Sequence, residues 1–185
     1  LNGPTQWDDH KIGKKHKKRV KKNSKLAKTY PHLKYEPKII KKSIYSTPLT
    51  YMCFSGYINP FTNEAQVDGL IPTYKFPTTS CHEAAHQLGY AAENEANFVG
   101  FLAANYNDDI FFKYASYRLA FGYCISELRK RDHKLTKELW KTVHIGVGKD
   151  FNASYQFWEA YRNPFEPLVK KGYNAYLKAN KQDKG

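Results

Sequence analysis

The sequence predicts a mainly α fold of the α+β class, with a small β-hairpin ahead of a series of helices. In the second half of the chain, apolar residues recur every three or four positions, which is typical of helices. The segment 43–58 is instead rich in Tyr, Thr and Ile with rough alternation, which is typical of strands. A turn signal, Asn59-Pro60, follows that segment and predicts that the chain reverses there.

The composition predicts one folded domain, alone or with a tail. The chain has 185 residues, of which 41% are hydrophobic and 16% aromatic, and this suffices for a core. The sequence contains no run of 18 apolar residues and no secretory signal, so no segment of it is expected to span a membrane. The three cysteines, Cys53, Cys81 and Cys124, match neither a disulfide framework nor a zinc ribbon.

Positive charge is concentrated at the start of the sequence. Residues 1–42 contain 14 Lys or Arg and 3 Asp or Glu, a net charge of +11, whereas residues 43–185 supply only +2 of the total +13. We therefore predict a basic, solvated arm at 1–42 and a folded domain at 43–185. The arm would bind anionic lipid beside a membrane, bind nucleic acid, or connect without a partner. Nucleic acid is disfavoured because few aromatic residues interleave the charges.

The first predicted elements of the domain are the two strands of the hairpin, within residues 43–58 and 63–70. A helix should then open near residues 77–80. Ser80 and Glu83 have the spacing of a capping box, in which the Glu side chain would bond the helix start. Thr78 or Thr79 is the alternative cap, which would leave Glu83 free for chemistry.

Residues 82–86 of this helix read HEAAH, the HExxH pattern of zinc sites. His82 and His86 are four positions apart, so they lie on one helical face, about 5–6 Å apart at Cβ, and can bind one Zn²⁺ ion. Glu83 lies beside this pair and is placed to take a proton from a water that the metal activates. We therefore predict a zinc site with Glu83 as general base.

The residues after the motif should supply a third ligand, because a catalytic zinc usually has three protein ligands and a water. Gly89 can end the helix and turn the chain back toward the metal. Glu93 and Glu95 follow, and only one can face the site because they are two positions apart. We favour Glu93, which shares a helical face with Asn97, a residue that could brace a ligand. Glu95 is the alternative.

One class of HExxH peptidase is excluded. Metzincins require a third His at the position occupied here by Ala92, and a methionine turn downstream of the motif. The sole methionine, Met52, lies upstream.

Further helices are predicted downstream, each from apolar spacing and flanking turn residues. The expected ranges are 92–105, 110–130 after a cap at 107–109, 135–144, 149–161, and a last helix that ends near 180. A side chain from this region should steady the oxyanion of a peptide transition state. The candidates are Tyr114, Tyr117, His144 and Tyr155, and we favour Tyr117.

Several segments resemble the domain of unknown function 3810 family. They are residues 55–65 (SGYINPFTNEA), Phe76-Pro77 and residues 82–97, with weaker similarity at 165–167 and 173–178. The pattern Glu93-x-x-Ala96-Asn97 also resembles the third-ligand helix of gluzincins, by which Glu93 is the third ligand.

These resemblances imply a zincin-like, bacterial zinc metallopeptidase domain that cleaves a peptide or protein substrate. They also imply membrane segments ahead of this domain, and hence a membrane-associated protein. In zincins an edge strand beside the HExxH helix often holds the substrate backbone, a role open to the hairpin. The alternative function is a non-catalytic, zinc-stabilised scaffold or partner-binding domain. Such a site would be closed by a fourth protein ligand, for which Cys81 and Glu95 are candidates.

Overall fold

A computed structural model describes residues 24–34 and 40–179, and it confirms the mainly α fold with a small sheet. The strands are β1 (Ile40–Lys42), β2 (Gly56–Ile58) and β3 (Ala65–Val67). Within the described ranges the α-helices are α1 (Ser24–Thr29), α2 (Ser46–Tyr51), α3 (Phe76–Gln87), α4 (Glu93–Asn105), α5 (Ile110–Arg131), α6 (His133–Thr142), α7 (Ile145–Ala160) and α8 (Glu166–Ala179).

The part of the predicted arm that the structure describes packs on the domain. Leu26 of α1, Leu33 of a short 3₁₀ turn and Ile40 of β1 are each 2–3% exposed and belong to the core. Burial of these three apolar residues outweighs the charges around them, while the domain boundary at residue 42 stays a prediction. Residues 1–23, which carry much of the positive charge, lie outside the described ranges.

The sheet has the strand order β1-β3-β2, with β1 parallel and β2 antiparallel to β3. The predicted hairpin is confirmed at β2 and β3, where Ile58 pairs with Ala65 and Gly56 with Val67. Strand β1 comes from the segment predicted as the arm. Because β3 is central, β2 forms one edge of the sheet.

The predicted extended structure at 43–58 is wrong over residues 46–51, which form α2. Burial of Leu49 and a buried polar pair override the local strand propensity. The Thr50 hydroxyl donates to the carboxylate of Asp68 at 2.5 Å, and Asp68 also accepts from the amide of Leu70. These bonds fix the short helix against the loop that follows β3.

Helix α3 lies against the sheet and against α4 and α5, and most of its residues are buried. It begins at Phe76 with Pro77 in its first turn, where proline is tolerated. Ser80 and Glu83 lie inside the helix, so the predicted capping box is wrong. The helix ends at Gln87, and Gly89 then turns the chain as predicted. Its φ of 102° is the left-handed conformation that favours glycine.

The remaining helices follow the predicted order with shifted ends. Asp109 caps α5, as its side chain accepts from the amide of Phe111. Helix α7 begins at Ile145, earlier than predicted, because the ring of His144 accepts from the amide of Gly146 and so caps it. Among the described residues, none of the helices is long and apolar enough to cross a bilayer.

Candidate metal centre

Three side chains from α3 and α4 converge as the sequence predicts. The Nε2 atoms of His82 and His86 are 3.0 Å apart. One carboxylate oxygen of Glu93 lies 3.3 Å from Nε2 of His82, and the other lies 3.8 Å from Nε2 of His86. All three residues are partly buried, and together they could hold a metal ion.

The local fold explains why Glu93 reaches the two histidines. The turn at Gly89 reverses the chain, and α4 begins at Glu93 after the extended residue Ala92. Helix α4 then packs closely on α3 at Gly100, where a Cβ atom would lie 2.9 Å from the backbone nitrogen of His82. Glu95, the alternative ligand, is exposed and does not belong to the converging group.

A backbone contact sets the orientation of His86. Its Nδ1 lies 2.7 Å from the carbonyl oxygen of Tyr90, which can only accept a hydrogen bond. Nδ1 therefore carries the proton, and Nε2 presents a lone pair to the site. A backbone carbonyl behind a histidine is a common support for a metal ligand. The Schellman turn that places Tyr90 here is made possible by Gly89.

The spacing of the three donors fits a tetrahedral zinc ion. Bonds of about 2.0–2.1 Å from zinc to nitrogen or oxygen place neighbouring ligand atoms about 3.3 Å apart in a tetrahedron. The observed separations of 3.0 and 3.3 Å are close to that value, and the separation of 3.8 Å is somewhat longer. Two imidazoles and a carboxylate are also the donor types that zinc accepts in hydrolytic sites.

The two histidines favour the ionised form of Glu93. The hydrogen bond from His82, with the charges of both histidines, lowers the pKa of Glu93 although burial opposes this. Burial would lower the pKa of His82, but its hydrogen bond to Glu93 and the charges of Glu83 and Glu93 raise it. Burial and the charge of His82 lower the pKa of His86. Glu93 is thus a carboxylate at neutral pH, as a ligand must be.

Glu83 is buried beside the group, with only 3% of its surface exposed. Strand β2 covers it, since a Cβ on Gly56 would lie 2.5 Å from its Oε1 atom. Its Oε2 atom has no hydrogen-bond partner among the described residues. Burial raises the pKa of Glu83 to about 8, with the charge of Glu93 adding to the shift and that of His82 opposing it. This carboxyl group can therefore both accept and donate a proton near neutral pH.

Tyr173 of α8 also contacts the group, in a role that no motif in the sequence predicts. Its hydroxyl donates to Oε1 of Glu93 at 3.3 Å. Burial, followed by the charge of Glu93, raises the pKa of Tyr173 to about 12, so it remains a donor at neutral pH. The similarity of residues 173–178 to the family was the available signal, but a contact across 80 residues cannot be read from spacing.

Other candidate residues occupy different positions. Asn97 lines the cavity beside His82 and contributes to raising the pKa of that histidine. Tyr117 is 63% exposed and does not line the cavity, whereas its neighbour Arg118 does. Cys81 is buried outside the converging group, and burial raises the pKa of its thiol to about 12.

The converging group opens into a cavity of about 890 Å³. That volume lies within the range of about 300–1,000 Å³ typical of ligand sites. Its walls are β2, one face of α3, the start of α4, part of α5 and two tyrosines of α8. His82, Glu83, His86 and Glu93 all line it, so a molecule in the cavity can reach both the metal ligands and the buried carboxyl group.

Comparison with known proteins gives one family. The model of the family described as protein of unknown function DUF3810 matches residues 4–185, nearly the whole chain. The match therefore extends well beyond the short segments between residues 55 and 97 and between 165 and 178 that resemble the family. No curated protein and no solved structure matches the chain.

Proposed function

We propose that this chain, which belongs to the domain of unknown function 3810 family, is a zinc-dependent metallopeptidase. His82, His86 and Glu93 would hold the metal. The observation that carries the proposal is the position of Glu83 in the same cavity as the three ligands. It is a buried carboxyl group, and its Oε2 has no hydrogen-bond partner among the described residues. A site that served only to stabilise the fold would not require such a group, whose burial costs free energy.

The reaction assigned to these residues is hydrolysis of a peptide bond. A bound zinc ion would supply Lewis acidity, which lowers the pKa of a bound water to near neutrality and polarises a carbonyl group. Glu83 takes a proton from the attacking water and passes it to the leaving amine. Burial raises the pKa of Glu83, and a general base is most effective when its pKa lies near the working pH.

Strand β2 supports a peptide as the substrate. It is an edge strand, and all three of its residues, Gly56, Tyr57 and Ile58, line the cavity. An extended peptide can pair with such an edge through main-chain hydrogen bonds. Gly56 lies over Glu83, so a paired peptide would pass beside the proposed base.

Tyr173 is assigned a positioning role. Its hydroxyl bonds one oxygen of Glu93 and so limits how that carboxylate can turn. A donor behind a metal-binding carboxylate tunes and orients it. The membrane association and bacterial origin that the resemblance implies stay predictions.

The test compares zinc content and casein cleavage in wild type, Glu83→Gln and a control, Glu95→Gln. One equivalent of zinc in all three, with cleavage by wild type and Glu95→Gln only, is the expected result. Cleavage by Glu83→Gln at the wild-type rate would show that Glu83 is not the general base. Zinc in all three with no cleavage by wild type would favour a non-catalytic zinc-stabilised domain.

A further inference from the structure

Two cationic side chains line the cavity. They are Lys75, the N-cap of α3, and Arg118, near the middle of α5. Among the described residues, no Asp or Glu oxygen lies within 4.0 Å of either cation. The acidic groups that line the cavity, Glu83 and Glu93, lie at its metal end.

Arg118 is held by aromatic rings rather than by an ion pair. Its guanidinium lies 4.5 Å from the ring centre of Tyr74 and 4.2 Å from that of Phe151. One terminal nitrogen donates to the backbone oxygen of Asp150 at 3.3 Å, while the Asp150 carboxylate accepts from Tyr114. The buried Nε of Arg118 has no hydrogen-bond partner among the described residues. The packing thus fixes the orientation of the guanidinium.

Lys75 is close to Arg118 and is also confined. Its Nζ lies over the ring of Trp158, 5.3 Å from the ring centre. Burial, and then the charge of Arg118, lower the pKa of Lys75 to about 8. Two neighbouring cations in a partly buried position repel each other and lose hydration. Their burial therefore costs free energy unless an anion binds between them.

Helix α3 places Lys75 at a defined distance from the metal ligands. Lys75 has a helical backbone conformation and lies seven residues before His82. At about 1.5 Å of rise per residue, the two Cα atoms are about 10 Å apart along the axis. An extended peptide covers that distance in about three residues, at about 3.3 Å each.

We propose that Lys75 and Arg118 form a specificity site for a carboxylate on the peptide substrate, about three residues from the cleaved bond. This inference rests on the proposed peptidase function and deepens it. The carboxylate would be an Asp or Glu side chain, or the C-terminus of the substrate. Arg118 would bind it through its fixed donors, and Lys75 would add charge.

Binding to an inactive enzyme tests this site apart from catalysis. The protein is Glu83→Gln with added zinc, and the probes are fluorescent eight-residue alanine peptides with one Glu or one Gln. Each peptide is made with an amidated and with a free C-terminus, and the Glu is moved through every position. We expect Glu peptides to bind about tenfold more tightly than Gln peptides, which corresponds to one added charge-assisted contact. Preference for the free C-terminus alone would identify the terminal carboxylate as the source.

The matched variants are Lys75→Met and a control, Lys137→Met, at an exposed lysine of α6. Lys75→Met should remove most of the preference for Glu, and Arg118→Lys should reduce it, while Lys137→Met should keep it. Circular dichroism checks that each variant is folded. Equal binding of Glu and Gln peptides, no binding of either, or an unchanged preference in Lys75→Met would overturn the proposal. A clear preference with no cleavage by the zinc-loaded wild type would instead count against the peptidase function alone.

Discussion

Gly56 of the edge strand lies directly over the carboxyl group of Glu83. A Cβ atom at position 56 would lie 2.5 Å from Oε1 of Glu83 and 2.9 Å from the backbone oxygen of Gln66. Neither neighbour can yield freely, because Glu83 is buried and Gln66 belongs to the central strand. The strand therefore fixes the position of the proposed base, and a side chain here is not tolerated without movement.

Gly56→Ala is expected to lower peptidase activity at least about tenfold, because a displacement of the base by about 1 Å is costly to catalysis. Zinc content should stay at one equivalent, since the three ligands lie on other elements. The measurement is kcat/KM with a peptide substrate, beside zinc content. Gly148→Ala is the control, because a Cβ there meets no atom within 4 Å. Full activity in Gly56→Ala would show that Glu83 is not held by this contact.

Glu93→Gln should weaken zinc binding far more than Glu95→Gln. A neutral amide replaces the carboxylate that faces both histidines, whereas Glu95 is exposed and outside the group. We expect a loss of at least about 100-fold in zinc affinity for Glu93→Gln. Competition with a chelating dye measures it. If Glu95→Gln is the variant that loses zinc, the ligand assignment is wrong.

Tyr173→Phe removes the hydroxyl that bonds Glu93 and leaves the ring in place. Loss of such a support typically costs about 10- to 100-fold in metal affinity or activity. The matched control is Tyr117→Phe, at a tyrosine that is 63% exposed. Zinc affinity and kcat/KM of the two variants give the comparison. An effect of Tyr117→Phe as large as that of Tyr173→Phe would contradict the role given to Tyr173.

Lys75→Met should stabilise the free protein, because Lys75 is a partly buried cation without a carboxylate partner among the described residues. Its pKa in the folded state, about 8, lies below its ordinary value of 10.5. The folded state therefore resists protonation of Lys75, and this penalty is complete below pH 8 and disappears as pH rises toward 10.5. Lys75→Met should raise the free energy of unfolding at pH 7 by about 1–3 kcal/mol.

Urea unfolding of Lys75→Met at pH 7 and at pH 10 measures this effect, with Lys137→Met as control. The stabilisation relative to wild type should be smaller at pH 10, where most of the penalty is already gone. A variant that is less stable than wild type at pH 7 would show that Lys75 serves the fold, and would weaken its assignment to substrate binding.

The convergence of His82, His86 and Glu93 was predictable because it depends on local geometry. His82 and His86 share one face of a single helix. Gly89 lies in the turn after that helix, and Glu93 is the first residue of the next helix. No long-range contact is needed to bring these residues together. The same reasoning separated Glu93 from Glu95, since two positions on a helix point to different sides.

Features that depend on distant contacts were missed. Tyr173 meets Glu93 across 80 residues, and β1 pairs with β3 across a crossover. Helix α2 replaced a predicted strand because the buried pair of Thr50 and Asp68, 18 residues apart, outweighs strand propensity. Tyr117 and Arg118 are adjacent on a helix, so their side chains point in different directions, and Arg118 is the one that lines the cavity.

X-ray absorption spectroscopy at the zinc edge of the purified protein tests the central claim most directly. The account predicts two imidazole nitrogens and a carboxylate oxygen at about 2.0–2.2 Å, with a further oxygen from solvent and no sulfur. A sulfur ligand at about 2.3 Å would indicate a closed site that includes a cysteine and would contradict an open catalytic centre. A spectrum without histidine scattering, or a protein that retains no zinc, would contradict the site itself.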